Sequence, residues 1–222
     1  MNYKRSWLQK LDMKFGRHAF QNLMKFIVFG MAIVFVADLI TFAARGISLS
    51  TMMAFDRSAI FDGQIWRLIS FVFIPPDSGI LFILLSLYFY WLMGTAMENE
   101  WGSFKFDVFY LTGILGSIIA GMITGYATNS FLNMSLFLGF ALLFPEFKVN
   151  LFLIFPVKVK YLAYLDAAYL LFLFVISPWQ VRIALAVALL NIALFFWQDF
   201  IDGAKRIIRK IKWKNSSRRR GW

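Results

Sequence analysis

The sequence predicts an all-α polytopic membrane protein, six spanning helices with an interfacial first loop. Three observations carry that reading. Of 222 residues, 60% are hydrophobic and 16% charged, with a mean hydropathy of +0.68, far from the composition of soluble domains. The apolar residues gather into runs near the ~20 residues that a helix needs to cross a bilayer, and six such runs take about 120 residues. The 23 Lys plus Arg, against 12 Asp plus Glu, fall mostly to one side of those runs. Four to seven spans fit this length, and a separate soluble domain does not.

Residues 1–25 read as a basic amphipathic cytoplasmic segment, with Lys4, Arg5, Lys10, Lys14, Arg17 and Lys25 interleaved with Trp7, Leu8, Leu11, Met13 and Phe15. That interleaving suits an interfacial helix and not a cleavable leader. The membrane domain covers 26–197. Span one, Phe26–Ala44, carries Asp38 and stops at Arg45-Gly46. From Ile47 to Ser78 the chain mixes Asp56, Arg57, Asp62, Arg67 and the Pro75-Pro76 pair with apolar residues, too polar to span and too apolar for a free linker. It therefore predicts a structured loop in the interface.

Span two is Gly79–Met97, span three Phe106–Tyr126 and span four Phe131–Phe144. Span four is short, so it belongs inside the bundle with its ends capped by protein or water. Leu151–Phe155 ends at Pro156 and is too brief to cross. Span five is Tyr161–Ile176, carrying Asp166 about one turn from its start, and span six is Val181–Trp197, whose most polar interior residue is Asn191. Residues 198–222 form a basic cytoplasmic tail.

With six spans both termini share a side. The amino-terminal segment, Lys105, Lys148, Lys158, Lys160 and the tail put nineteen basic residues there, against Arg45, Arg57, Arg67 and Arg182 on the other. Basic residues are retained in the cytoplasm, so both termini are expected to be cytoplasmic, in a bacterial cytoplasmic membrane or, alternatively, an internal eukaryotic one. The tail intersperses Ile207, Ile208, Ile211 and Trp213 among its charges, which suits anionic lipid headgroups and calls for no nucleic acid.

Absences bound the chemistry. The chain has no Cys and one histidine, His18, which excludes disulfides, thiol catalysis, Cys-rich metal sites and any reaction needing two imidazoles. No metal or cofactor is implied. In span three, Gly113, Ser117, Gly121 and Gly125 recur every four residues beside Gly116, Ala120 and Thr124, a stripe that lets helix backbones approach closely within the bundle. Asp38 and Asp166 are intramembrane acids, expensive unless they face the interior or reach the interface.

The run Gly63-Gln64-Ile65-Trp66-Arg67, followed by Ser70 and Phe71, resembles the rhomboid signature that precedes the second helix. The block Gly94-x-x-x-Glu98-x-x-x-Gly102, then Phe106, Tyr110 and Gly113, is similar to the rhomboid junction of spans two and three. The resemblance covers residues 63 to 125, and span order and the large first loop extend it. It implies a six-helix rhomboid-like bundle in which the Trp-Arg pair fixes the first loop and Glu98 braces its surroundings.

The same resemblance implies an intramembrane serine protease, but the catalytic positions are altered. The family's span-two His and Asn fall at Phe82 and Ser86, span six has no histidine, and span four lacks the Gly-x-Ser-Gly turn. No lysine lies within a span to pair with a serine. The expected function is that of inactive rhomboid-like proteins such as derlins and iRhoms: a pseudoprotease that binds or chaperones transmembrane segments of client proteins. One alternative is a protease with a non-standard site, with Ser86, Ser130 or Ser135 as weak nucleophile. Another is an ion- or proton-coupled carrier using Asp38.

Topology is directly testable because the native chain has no cysteine. With an impermeant thiol reagent, Ser58→Cys is expected to label in intact cells and Ser216→Cys only after permeabilisation; external labelling at 216 overturns the topology.

Overall fold

The computed structural model describes residues 12–14, 16–151 and 155–197; residues 1–11 and the basic tail 198–222, with Trp213 and Ser216, lie outside the described residues. Nine helices carry the described chain: α1 (Leu23–Arg45), three short helices in the first loop, α2 (Leu49–Met53), α3 (Arg57–Phe61) and α4 (Arg67–Ser70), then α5 (Ile80–Trp101), α6 (Ser103–Thr124), α7 (Ser130–Leu143), α8 (Val159–Ile176) and α9 (Trp179–Trp197). The protein is all-α in its bulk, and α1, α5, α6, α8 and α9 are each long and apolar enough to cross a membrane. The sixth apolar helix, α7, has 14 residues.

One element was not expected. Strands β1 (Lys148–Leu151) and β2 (Phe155–Lys158) form an antiparallel hairpin between α7 and α8, with Val149 opposite Val157. Pro156 sits in a two-stranded ribbon, where an edge position tolerates the missing N–H.

Long helices alternate in direction, so the molecule has a loop end and a hairpin end. Arg45, Arg57, Arg67 and Arg182 lie at the loop end, and Lys105, Lys148, Lys158 and Lys160 at the hairpin end. α7 is the centre of the bundle. Eight of its 14 residues are buried, against four of 23 in α1 and two of 18 in α8. Leu132, Leu136 and Phe140 of α7 join Met97 of α5, Phe106 and Tyr110 of α6 and Phe196 of α9 in the main apolar core. A smaller cluster joins Phe131 and Leu170 to Ala184 and Leu185.

The small residues of α6 serve close packing inside the chain. A Cβ at Gly113 would meet Leu132 of α7 and the Asn191 amide of α9, one at Gly116 would meet Val187, and one at Gly121 would meet Phe55 of the first loop. Ser117 returns its hydroxyl to the Gly113 carbonyl. Asn191 locks the same seam: its Nδ2 donates to the Phe109 carbonyl at 3.1 Å and its Oδ1 accepts from the Thr112 hydroxyl at 2.9 Å. A buried amide with both ends satisfied pins α9 to α6 without leaving an unpaired dipole.

At the hairpin end, Glu146 holds Lys158 at 2.6 Å and Lys160 at 2.5 Å. Hydrogen bonds from Lys158 and Lys160 hold the Glu146 carboxyl at about 2, below its ordinary 4.5. A depressed carboxylate pKa adds stability above the unfolded value, lost as pH falls through the folded one. Glu146→Gln is therefore expected to melt lower than wild type at neutral pH, with the deficit vanishing between pH 4.5 and about 2 and shrinking in high salt because the group is exposed. A deficit that persists unchanged at pH 2 overturns this assignment.

Candidate functional site

The loop is built from backbone demands met by distant side chains. Asp56 accepts from the Ser58 and Ala59 amides and so starts α3, and α3 ends where Gly63 takes φ +98°, a left-handed turn that a side chain would strain. Arg67 then reaches back. Its guanidinium donates to the Thr51 carbonyl at 3.0 Å, the Ala54 carbonyl at 2.7 Å and Gln64 Oε1 at 2.7 Å, closing the end of α2. Trp66 beside it is exposed, free to sit at headgroup level.

Asp38 serves the same loop. From α1 it accepts the Ser48 hydroxyl at 3.0 Å and the Ser50 amide at 3.1 Å, acting as the N-cap acceptor of α2 from another helix. Its partners are groups of the first loop. The first loop is therefore pinned to α1 by Asp38, within itself by Arg67, and to α6 by Arg57, which donates to the Met122 and Ile123 carbonyls.

At the hairpin end Glu98 accepts the Asn22 amide and the Ser103 hydroxyl, both at 2.7 Å. Asp107, the second residue of span three as read from sequence, is equally buried and accepts the Phe20 amide at 2.6 Å. The two acids hold the chain entering α1. Gly102 turns α5 into α6 at φ +81°, and Gly94 lies so close to Met24 that a Cβ would overlap that side chain. Arg67 and Glu98 have separate partners at opposite ends of the molecule.

Between these two pinned ends lies a cavity of about 560 Å³ along α7, bounded by α5 on one side and by the hairpin and the start of α8 on the other. Pro76, Asp77 and Asn129 line it at the loop end, and Val149, Val159 and Leu162 at the hairpin end. Asn129 seats α7 by donating to the Val72 and Ile74 carbonyls at 3.1 and 2.7 Å. Ser86 and Ser130 both line the cavity, on facing walls. Ser130 is exposed, and its hydroxyl accepts from Thr128 at 3.1 Å.

The other sequence candidates lie elsewhere. Phe82 is exposed on the outer side of α5 and does not line the cavity. Ser135 is buried outside the cavity lining, and its hydroxyl donates to the Leu132 carbonyl at 2.7 Å. Asp166 lies about two turns into α8, not one, because the helix begins at Val159. Neither Asp166 nor Asp38 lines the cavity, nor does any histidine or lysine among the described residues. His18 belongs to a short 3-10 turn, Gly16–His18, ahead of α1. The described residues contain no cluster of three carboxylate or imidazole ligands.

The polar residue of the cavity that the sequence did not single out is Asn133, whose side chain hydrogen-bonds to Tyr90 of α5, with Tyr110 close to Tyr90. An Asn inside a short apolar span was the available signal. Compared with protein-family models, curated proteins and solved structures, the chain matches none.

The Arg67 clamp yields a clear expectation. Arg67→Ala should lower stability by about 1.5–3 kcal/mol, the range for hydrogen bonds involving a charged group, and open the loop to nicking by added protease. Arg67→Lys should not restore protection, since an ammonium lacks the fork that reaches two carbonyls and Gln64 together. Full protection in Arg67→Ala would show that the clamp is dispensable.

Proposed function

We propose that the chain is a rhomboid-like integral membrane pseudoprotease of six spans, with both termini in the cytoplasm, that binds transmembrane segments of client proteins laterally between α5 and α8 without cleaving them. The observation that carries the reading is the cavity along α7. It is long, mostly apolar, flanked by the loosely buried α8, and holds Ser86 and Ser130 with no imidazole or ammonium group among the described residues of its walls. A serine hydroxyl without a neighbour to take its proton is a poor nucleophile. A groove beside a short helix instead offers a marginally stable segment a way out of lipid. Anionic headgroups are the expected surroundings of the basic ends.

One observation keeps the protease alternative specific: Ser86, Ser130 and the Asp77 carboxylate share the cavity. The carrier alternative has less behind it, because the Asp38 carboxylate is committed to Ser48 and Ser50.

Purified protein is expected to remain unlabelled by a fluorophosphonate probe, and a photo-crosslinker at Ser86 is expected to capture the spans of other membrane proteins. Labelling that disappears in Ser86→Ala or Ser130→Ala makes the protein a protease. Capture of lipid alone at Ser86 defeats the lateral docking reading. A proton or ion flux in liposomes that is lost in Asp38→Asn would favour the carrier.

A further inference from the structure

Among the described residues the buried side-chain atoms without a hydrogen-bond partner lie on Asp107, Tyr110, Asn133, Asp166 and Gln180, and of these only Asn133 lines the cavity. Asn191 uses both ends of its amide, and Thr112, Ser117, Thr124 and Ser135 return their hydroxyls to backbone carbonyls of their own helices. Asn133 differs. It is 5% exposed and lines the cavity; its side chain hydrogen-bonds to the Tyr90 hydroxyl, while its Oδ1 has no hydrogen-bond partner among the described residues. The Tyr110 hydroxyl, fully buried close to Tyr90, also lacks one. Ser86 stands one turn from Tyr90 on the same wall, level with the middle of α5. A buried acceptor left unpaired costs folding free energy that an apolar residue of similar size would not.

We infer that Asn133 is the specificity-determining residue of the groove, accepting a hydrogen bond from a donor that the docked segment carries at that depth. The inference rests on the docking reading above and adds the chemistry of the occupant. An acyl chain has no donor to offer at the level of Asn133. An all-apolar helix has its backbone N–H groups already used by its own carbonyls. A spanning segment with an Asn, Gln, Ser or Thr at the matching level has one, and exchanging lipid for the Asn133 carboxamide satisfies both partners at once. The preference is therefore for one position along the client helix as well as for a residue type.

The test uses full-length protein reconstituted in liposomes, with a photo-crosslinker replacing Phe89, which lines the cavity without belonging to the polar group. The probes are Lys-flanked single-span peptides of Leu and Ala, one all-apolar and the others with a single Asn moved along the span. Wild type should capture the peptide with Asn at one depth about three- to tenfold better than the all-apolar one, the range of interhelical hydrogen bonds in membranes. Asn133→Leu should lose that preference, keep its capture of the all-apolar peptide, and melt at the same temperature or higher.

A flat depth profile with both peptides captured overturns the role of Asn133 and leaves lateral docking standing. No capture of any peptide overturns docking itself. A preference that survives Asn133→Leu, or a large loss of stability in that variant, shows that the amide is structural. The depth scan on wild type is decisive even if the variant fails to fold.

Discussion

The rest of the structure depends on a helix that is too short. α7 rises about 21 Å over its 14 residues, whereas the hydrocarbon of a bilayer is about 30 Å thick. Its first amides and last carbonyls therefore fall where lipid cannot bond them, and protein has to close both ends. At the loop end Thr128 caps the Ser130 amide and Asn129 ties the helix start to the Val72 and Ile74 carbonyls. At the other end the chain turns at once into the β hairpin, whose return strand hands Val159 back to the Phe147 carbonyl. The interfacial loop and the hairpin are the two plugs a short central helix requires. The cavity is the space beside that helix which its neighbours do not fill.

The same demand explains the basic residues at the loop end. Three of the four arginines there cap helix C-termini: Arg67 takes the Thr51 and Ala54 carbonyls, Arg57 those of Met122 and Ile123, and Arg182 those of Val175 and Ser177. A planar fork of donors suits paired carbonyls and the negative end of a helix dipole, which explains arginine and not lysine at these positions. Their charge counts against the side bias of the other basic residues, but their geometry gives them structural work that a count of charges does not register.

Much of this was legible from composition and run length, because burial in lipid leaves a strong hydrophobic signal. The six apolar helices, the shortness of α7 and its place inside the bundle follow from that signal. The glycine stripe of α6 was equally readable, since close approach leaves few residue types to choose from. The hairpin was not readable. Lys148–Leu151 and Phe155–Lys158 are four-residue pieces, too short for periodicity, and Pro156 argues against a strand in sequence while sitting comfortably in a two-stranded ribbon. Asp107 was hidden for another reason. An acid beside Lys105 at the head of a span looks like a charge at the interface, and only the fold brings the Phe20 amide to it. The bond that Ser135 makes is a local one, since a hydroxyl in an apolar span has the carbonyl of its own preceding turn as a ready partner.

The distribution of ties also decides which wall of the cavity yields most readily. α5 is bound to α1 through Glu98 and the tight contact of Gly94 with Met24, and α6 is bound to α9 through Asn191. α8 has ties of a different kind. Its hairpin end is fixed by Glu146 and by the Phe147 and Pro145 carbonyls, while Arg182 bonds only to the local turn at its loop end. Between these ends it buries Leu170 alone, against Phe131, Ala184 and Leu185. Moving α8 away from α7 at the loop end therefore exposes little apolar core and breaks no buried hydrogen bond identified among the described residues. Movement of α5 would break the clamp that holds the entry to α1. Local opening draws on the least buried element. α8 is therefore the least tied wall of the cavity, and α5, which carries Ser86 and Tyr90, is more firmly held.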